Sequence, residues 1–249
     1  MTRAIPIVAL DVPTLAAAHK IVAQLDDRCD FYKVGLELFA SEGPAVVQWL
    51  RDEGKRVFVD LKLHDIPNTV QSAARSVARL GASLLTVHAS GGEAMIAAAV
   101  QGALEGSIDS AHRNAGLMSA NGCGILGVTV LTSLNATALG HAWGRSELDV
   151  GAEVSRLAAF VRGAGALGVV CSGHELKPLQ ETFGTELATL VPGIRLTGGS
   201  AHDQQRTMTP AAAAAAGADY LVLGRAVTAA PDPAEAMAAV WEELRGGAS

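Results

Sequence analysis

Cysteine, aromatic residues and clustered positive charge are all scarce in this sequence. Its 249 residues contain three cysteines, and Cys29, Cys123 and Cys171 stand far apart with no metal-binding spacing. A disulfide scaffold and a structural zinc site are therefore both disfavoured. Lysine and arginine total 19 against 25 acidic residues, which gives a net charge of −6. The composition indicates no nucleic-acid partner, although a few local groups can still bind a small anion.

Long apolar runs are also missing. No segment approaches the roughly 18 uninterrupted apolar residues that a membrane span requires. The opening MTRAIPIVALDVP lacks the apolar region and the cleavage site of a signal peptide. We therefore expect a cytoplasmic protein with no membrane partner. The hydrophobic fraction of 49% is too high for a disordered chain, and this length can bury a full core.

Short apolar, β-branched runs alternate with longer alanine-rich segments along the chain. Such alternation is typical of parallel strands joined by crossover helices. We predict one α/β domain over residues 1–249, a single (β/α)8 TIM barrel with its active site at the C-terminal ends of the strands; a doubly wound open sheet is the alternative. The predicted strands are Ile5–Asp11, Phe31–Gly35, Arg56–Lys62, Ser83–His88, Gly124–Val130, Gly168–Cys171, Ala188–Val191 and Asp219–Leu223.

Several local patterns predict where helices begin. Ser90–Glu93 and Asp232–Glu235 both resemble capping boxes in front of helical segments. Thr209 and Pro210 suit the first positions of a helix that the alanine run 211–216 continues. The least regular stretches, 105–122 and 133–150, are interpreted as loops with short helical pieces.

Charged residues stand near the carboxyl ends of the first three predicted strands. Asp11 ends the first, Lys33 lies in the second, and Asp60 and Lys62 end the third. Side chains alternate along a strand, so Asp60 and Lys62 are expected on one face. A simple strand-end salt bridge would explain that pair alone, whereas the whole cluster indicates a functional site. A lysine flanked by carboxylates stays protonated, which suits proton donation or carbanion stabilisation rather than Schiff-base formation.

Two glycine-arginine turns follow the seventh and eighth predicted strands, where barrels commonly bind phosphate. Gly193 and Gly224 would let the backbone approach an anion, while Arg195 or Arg225 would supply bidentate donors. The alternative is a pair of ordinary turns with surface arginines. The glycine-rich segment 197–200 is interpreted as part of a mobile flap.

Histidine gives little support for a metal site. His64 and His88 lie near the ends of the third and fourth strands, where Asp60 or Asp65 could join them. The sequence has no HxH, HExxH or histidine-rich cluster, so we predict no metal.

Residues 60–69, DLKLHDIPNT, resemble the DxKxxDIPNT signature of the orotidine 5′-phosphate decarboxylase family. Further matches to the family cover nearly the whole chain. In order, they are ALD ending at Asp11, YKVG around Lys33, TVLTS around Thr132, VPGIR ending at Arg195, DQ…MTP with Gln204, and LGR ending at Arg225.

The resemblance implies cofactor-free decarboxylation of orotidine 5′-monophosphate (OMP) to UMP and CO₂, the last step of de novo pyrimidine synthesis. It implies that Lys62 donates the proton to C6 of the pyrimidine. Lys33, Asp60, Lys62 and Asp65 would form a charged array in a homodimer, with Asp65 reaching the neighbouring subunit's site. The substrate-binding residues would be Asp11, Lys33, Thr69, Thr132, Arg195, Gln204, Gly224 and Arg225.

Two alternatives share some of these features. A magnesium-dependent keto-sugar-phosphate decarboxylase or hexulose-phosphate synthase would use the shared aspartate and lysine positions, but the continuation Ile66–Thr69 argues against it. A non-catalytic barrel that binds a phosphate ligand would explain the glycine-arginine turns, but it gives no reason for Lys62 beside two aspartates.

Overall fold

The computed structural model describes residues 4–107, 122–145, 148–196 and 207–246. Eight parallel strands form a closed barrel in which neighbours follow chain order and the last strand pairs with the first. The predicted (β/α)8 fold is thereby confirmed, and the open-sheet alternative is wrong. The strands are β1 (Ile5–Ala9), β2 (Phe31–Gly35), β3 (Arg56–Leu63), β4 (Leu84–His88), β5 (Gly124–Val128), β6 (Gly168–Val170), β7 (Ala188–Val191) and β8 (Tyr220–Leu223).

Helices connect the strands around the outside of the barrel. None of those in the described part of the chain is long and apolar enough to cross a membrane. They are α1 (Leu15–Leu25), α2 (Leu36–Glu42), α3 (Ala45–Asp52), α4 (Pro67–Arg79), α5 (Glu93–Gly106), α6 (Ala136–Trp143), α7 (Val150–Gly163), α8 (Leu176–Phe183), α9 (Pro210–Ala215), α10 (Arg225–Thr228) and α11 (Pro233–Gly246).

Two strands, β2 and β7, have the predicted bounds, and the other six differ from the prediction by one or two residues. The first strand ends at Ala9 and not at Asp11, because its ladder with β2 ends at the pair Ala9–Lys33. The chain then turns toward α1 through Pro13, which has no N–H for a ladder. Asp11 therefore lies in a loop beyond the strand.

Two of the three predicted helix starts are confirmed. Asp232 Oδ1 accepts the N–H groups of Ala234 and Glu235 at 2.9 and 3.0 Å, and Thr209 caps α9. The predicted capping box Ser90–Glu93 is wrong, because a 3₁₀ turn ends at Gly91 and Gly92 becomes the N-cap with φ of 85°. Glycine adopts this conformation without the steric cost that other residues bear.

The barrel encloses a small apolar core, separate from the larger core between strands and helices. The face that carries Phe31 on β2 continues to Lys33, and the face that carries Phe58 on β3 continues to Asp60, because side chains alternate along a strand. The interior is thus apolar near the amino ends of these strands and charged at their carboxyl ends. The inner core consists of Ile7, Ala9, Phe31, Phe58, Leu84, Leu126, Ala188, Leu190, Tyr220 and Val222.

Candidate active site

The carboxyl end of β3 departs from regular strand geometry. Val59 pairs with Leu85 and Leu63 pairs with Val87, so the three residues 60–62 lie opposite Thr86 alone. Such a bulge bends the strand and redirects its side chains. The two side chains do meet, as predicted from the sequence. Regular alternation along the strand is not the reason, however, because the bulge interrupts it between Asp60 and Lys62.

Lys62 lies in the bulge with φ of 50°. This left-handed conformation costs a residue with a side chain roughly 1–2 kcal/mol. Strained backbone of this kind clusters at functional sites, where the surrounding structure enforces it. The N–H group of Lys62 donates to Thr86 Oγ1 at 2.9 Å, which ties the strained residue to β4.

Four side chains form a row of alternating charge at the mouth of the barrel. Lys33 Nζ lies 2.7 Å from Asp11 Oδ1 and 3.7 Å from Asp60 Oδ2. Lys62 Nζ lies 2.9 Å from both carboxylate oxygens of Asp60. The structure therefore joins predicted residues from β2, β3 and the loop after β1, and Asp60 bridges the two ammonium groups.

Burial within this row is uneven. The side chains of Lys33 and Asp60 are 9% and 13% exposed, whereas those of Lys62 and Asp11 are 29% and 59% exposed. The Lys33–Asp60 pair is the one with both side chains largely buried, so it interacts more strongly than a surface pair, because little water screens it. The Lys62 side chain is thus the more accessible of the two lysines to a ligand in the mouth.

The electrostatics of Asp60 reflect two opposed effects. Burial by itself raises the pKa of the carboxyl, but the ammonium groups of Lys33 and Lys62 and the hydrogen bonds from Lys62 and Thr86 lower the pKa below its usual value. The net effect is a carboxylate that stays ionised at neutral pH despite being largely buried.

Thr86 is a component of the site that the sequence reasoning missed. Its side chain is fully buried, and Oγ1 donates to Asp60 Oδ1 at 2.8 Å. One feature of the sequence could have indicated Thr86: it is a polar residue inside the apolar run LLTVH, two positions before His88. The search for charged residues at strand ends passed over it, because threonine is uncharged and lies in the middle of β4.

His64 and His88 lie beside the charged row with ring centroids 5.5 Å apart. Burial lowers the pKa of His88, and electrostatic interactions with His64 and Lys62 lower it further, although the Asp60 carboxylate acts in the opposite direction. Because its pKa is low, His88 is neutral at pH 7 and adds no further positive charge there. Among the described residues, no group of three or more histidine, cysteine or acidic side chains could hold a metal ion.

Asp65 and Thr69 lie apart from this row. Both are exposed, with Thr69 in the first turn of α4. Asp65 Oδ1 accepts the N–H of Ile66 at 2.6 Å, and Asp65 takes part in none of the ion pairs between described residues. Three of the four residues predicted to form the charged array, Lys33, Asp60 and Lys62, therefore meet within one chain, and Asp65 does not join them.

The predicted phosphate-binding residues follow β7 and β8. Gly224 directly precedes Arg225, the exposed first residue of α10. Arg195 is buried, and its Nη1 donates to the carbonyl of Ile194 at 2.9 Å. Thr132 is half-buried in the loop after β5. Gln204 and the flap residues 197–203 lie outside the described residues.

This architecture defines a class: a (β/α)8 barrel with partly buried, alternating lysine and aspartate charges where barrel enzymes carry out their chemistry. The sequence model of the orotidine 5′-phosphate decarboxylase / HUMPS family matches residues 5–240. The chain belongs to this family, which confirms the resemblance found in the sequence.

Individual relatives agree with that assignment. Orotidine 5′-phosphate decarboxylase of Moorella thermoacetica is 46% identical over 238 residues, which cover 96% of this chain and 91% of the relative. The enzyme of that name from Anaeromyxobacter sp. is 47% identical, with 93% and 94% covered. A crystal structure of orotidine 5′-phosphate decarboxylase from Lactobacillus acidophilus has a TM-score of 0.82 at 37% identity, covering 97% of this chain and 99% of that one.

Proposed function

We propose that this chain acts as a single catalytic domain in the cytoplasm and converts OMP to UMP and CO₂, the last step of de novo pyrimidine synthesis, with no metal and no organic cofactor. The observation that carries the proposal is the Lys62–Asp60 ion pair, with Nζ 2.9 Å from both carboxylate oxygens at the open mouth of the barrel. The names of the relatives support OMP as the substrate.

In the proposed step, the bond between C6 of the pyrimidine and its carboxylate carbon breaks. The electron pair stays on C6 and CO₂ leaves. Since this carbanion has no conjugated sink, fixed positive charge has to stabilise it. The Lys62 ammonium supplies that charge and transfers one proton from Nζ to C6, which yields UMP and a neutral amine. A proton from water then restores the ammonium.

Asp60 serves this step in two ways. It holds the Lys62 ammonium in one position through two short contacts, which removes the entropic cost of orienting the acid. Because its pKa is lowered, it is also ionised, and its charge beside the departing carboxylate raises the energy of the bound substrate relative to the transition state.

The remaining predicted residues bind parts of the substrate away from C6. Contacts to the phosphate provide binding energy that is used at the reacting centre. In this proposal Asp11 and Lys33 hold the ribose and Thr132 the pyrimidine, Arg195 and Thr69 complete the binding site, and the phosphate is bound by Gln204, Gly224 and Arg225.

We further propose a homodimer in which Asp65 enters the site of the neighbouring subunit. Asp65 is exposed and forms no ion pair with the lysines of its own chain among the described contacts. Two large apolar side chains are also exposed: Ile66, the next residue in the chain, to 67%, and Leu36 to 59%. Leu36 directly follows β2, and Ile66 follows the neighbouring strand β3 by three residues. In the proposed dimer these two side chains would be covered by the neighbouring subunit.

A spectrophotometric assay with OMP, run with and without a chelator, tests the proposal. We expect conversion to UMP and CO₂ that the chelator leaves unchanged. Activity that disappears with the chelator and returns with Mg²⁺ would refute the cofactor-free mechanism and favour the sugar-phosphate alternative. Binding of OMP without any turnover would favour the non-catalytic barrel.

Gly35→Ala should weaken substrate binding without unfolding the protein. A Cβ atom at Gly35 would lie 2.8 Å from both Asp11 Oδ1 and Lys33 Nζ, so it would displace the ion pair that is proposed to hold the ribose. We expect KM to rise about 10- to 100-fold, since a charge-assisted hydrogen bond contributes about 1.5–3 kcal/mol. Steady-state kinetics measure this rise. Gly246→Ala is the control, because a Cβ there contacts nothing, and an equal KM for both variants would contradict the prediction.

A further inference from the structure

We propose that Thr86 is a positioning residue of the catalytic lysine: its hydroxyl fixes the Asp60 carboxylate and the Lys62 backbone to each other at the bulge in β3. This inference rests on the proposed function, since it assigns Thr86 a role in the same decarboxylation. Neither the family resemblance nor the strand-end charges point to this residue.

One hydroxyl group makes both contacts. Thr86 Oγ1 accepts the N–H of Lys62 at 2.9 Å and donates its own hydrogen to Asp60 Oδ1 at 2.8 Å. A hydroxyl has one donor and two acceptor sites, so both contacts can form at once. A backbone N–H can only donate, so Oγ1 must act as the acceptor toward Lys62. The hydroxyl hydrogen is therefore free to be donated to the Asp60 carboxylate, and the direction of both hydrogen bonds is defined.

The position of Thr86 in the sheet makes these contacts specific. It is the single residue of β4 opposite residues 60–62, and its side chain is fully buried. No water competes with a hydroxyl at that depth, so removing it would leave the Lys62 N–H without its partner in a dry site.

The strain at Lys62 explains why such a link is needed. With φ of 50°, Lys62 would relax toward a more common conformation if its N–H were released, and its ammonium would move with the backbone. A displacement of about 1 Å of a catalytic group can reduce a rate by about 10²-fold. The hydroxyl therefore acts on the reaction through Lys62 and Asp60, without contact with the reacting atoms.

Thr86→Val tests the role, because valine keeps the shape of threonine and lacks the hydroxyl. We expect kcat for OMP to fall about 100-fold, the loss that follows from a misplaced catalytic group, with a much smaller change in KM. Thr86→Ala removes the same hydroxyl from a smaller side chain and should show the same loss. Thr86→Ser keeps the hydroxyl and should restore most of the activity.

A matched control exists at the opposite end of the barrel. Thr189 on β7 also links a carboxylate and a backbone N–H, since its Oγ1 donates to Asp219 Oδ2 at 3.2 Å and accepts from the N–H of Asp219 at 3.3 Å. Thr189→Val should lower the thermal unfolding temperature and leave kcat unchanged. An equal loss of kcat in both valine variants would show that Thr86 is merely structural.

The pH dependence of kcat/KM distinguishes a positioning role from a merely structural one, because a structural role would leave it unchanged. Asp60 contacts Lys33, Lys62 and Thr86. It also interacts electrostatically with His88, and Asp11 lies beyond Lys33. The Thr86 hydrogen bond stabilises the carboxylate, so its removal raises the pKa of Asp60 and should move the acid limb of kcat/KM to higher pH. A ¹³C NMR titration of the Asp60 carboxyl carbon measures the same rise without turnover.

The outcomes separate this inference from the proposed function. Wild-type turnover of OMP together with a Thr86→Val variant of near-normal kcat and an unmoved acid limb would overturn the role of Thr86 alone. If the wild type does not convert OMP, the proposed function fails, and the NMR titration still decides whether Thr86 holds Asp60.

Discussion

Lys62→Ala should give a folded barrel that no longer decarboxylates OMP. The substitution removes both the proposed proton donor and the positive charge opposite the carbanion. General acid catalysis and electrostatic stabilisation each contribute roughly 10²-fold or more, so kcat is expected to fall by about 10⁴-fold or more. Turnover at saturating OMP measures the loss.

A second lysine on the approach to β3 provides the control for this experiment. Lys55 Nζ donates to the carbonyls of Asp26 and Cys29 at 2.9 and 3.3 Å, at the amino end of the barrel. Lys55→Ala should keep its kcat, and circular dichroism should show intact secondary structure in both variants. A Lys62→Ala enzyme within tenfold of the wild type would refute the role assigned to Lys62.

Asp65→Asn should also be severely impaired, although Asp65 lies outside the charged row of its own chain. If the carboxylate serves the neighbouring site, its neutralisation removes one charge of the array in both active sites of the dimer. Removing one such electrostatic contact typically lowers kcat by roughly 10²–10³-fold. A fully active monomer, detected by sedimentation, would contradict the shared site.

Hybrid dimers of two inactive variants test the sharing directly. In a dimer of one Lys62→Ala chain and one Asp65→Asn chain, one site combines an intact Lys62 with an intact Asp65 from its partner. Such hybrids, isolated through two different affinity tags, should recover about half of the wild-type activity, because one of two equivalent sites is whole. A hybrid of Asp60→Asn and Lys62→Ala is the control and should stay inactive, since both residues act within the same chain.

Much of the fold could be predicted from local patterns. The alternation of apolar runs with alanine-rich helices gave every strand to within one or two residues, because strand and helix periodicities are properties of neighbouring residues. The same patterns put Lys33, Asp60 and Lys62 near strand ends, and the structure brings them together. The capping box at Ser90–Glu93 was wrong, since the left-handed Gly92 took the N-cap position.

The missed features depend on contacts that are distant in sequence. Thr86 and Lys62 are 24 residues apart, and nothing near either residue predicts that one hydroxyl joins them. Asp11 was placed at a strand end although it lies in a loop, because the length of β1 depends on its ladder with β2.

The sequence by itself determined the barrel, the family and the presence of charge at its mouth, because hydrophobic periodicity and residue type are local information. Only the tertiary structure decided how those charges meet. The pairing of β3 with β4 creates the bulge, forces Lys62 into a left-handed conformation and places Thr86 against Asp60. Strand register is a property of two paired strands, and no single strand carries it.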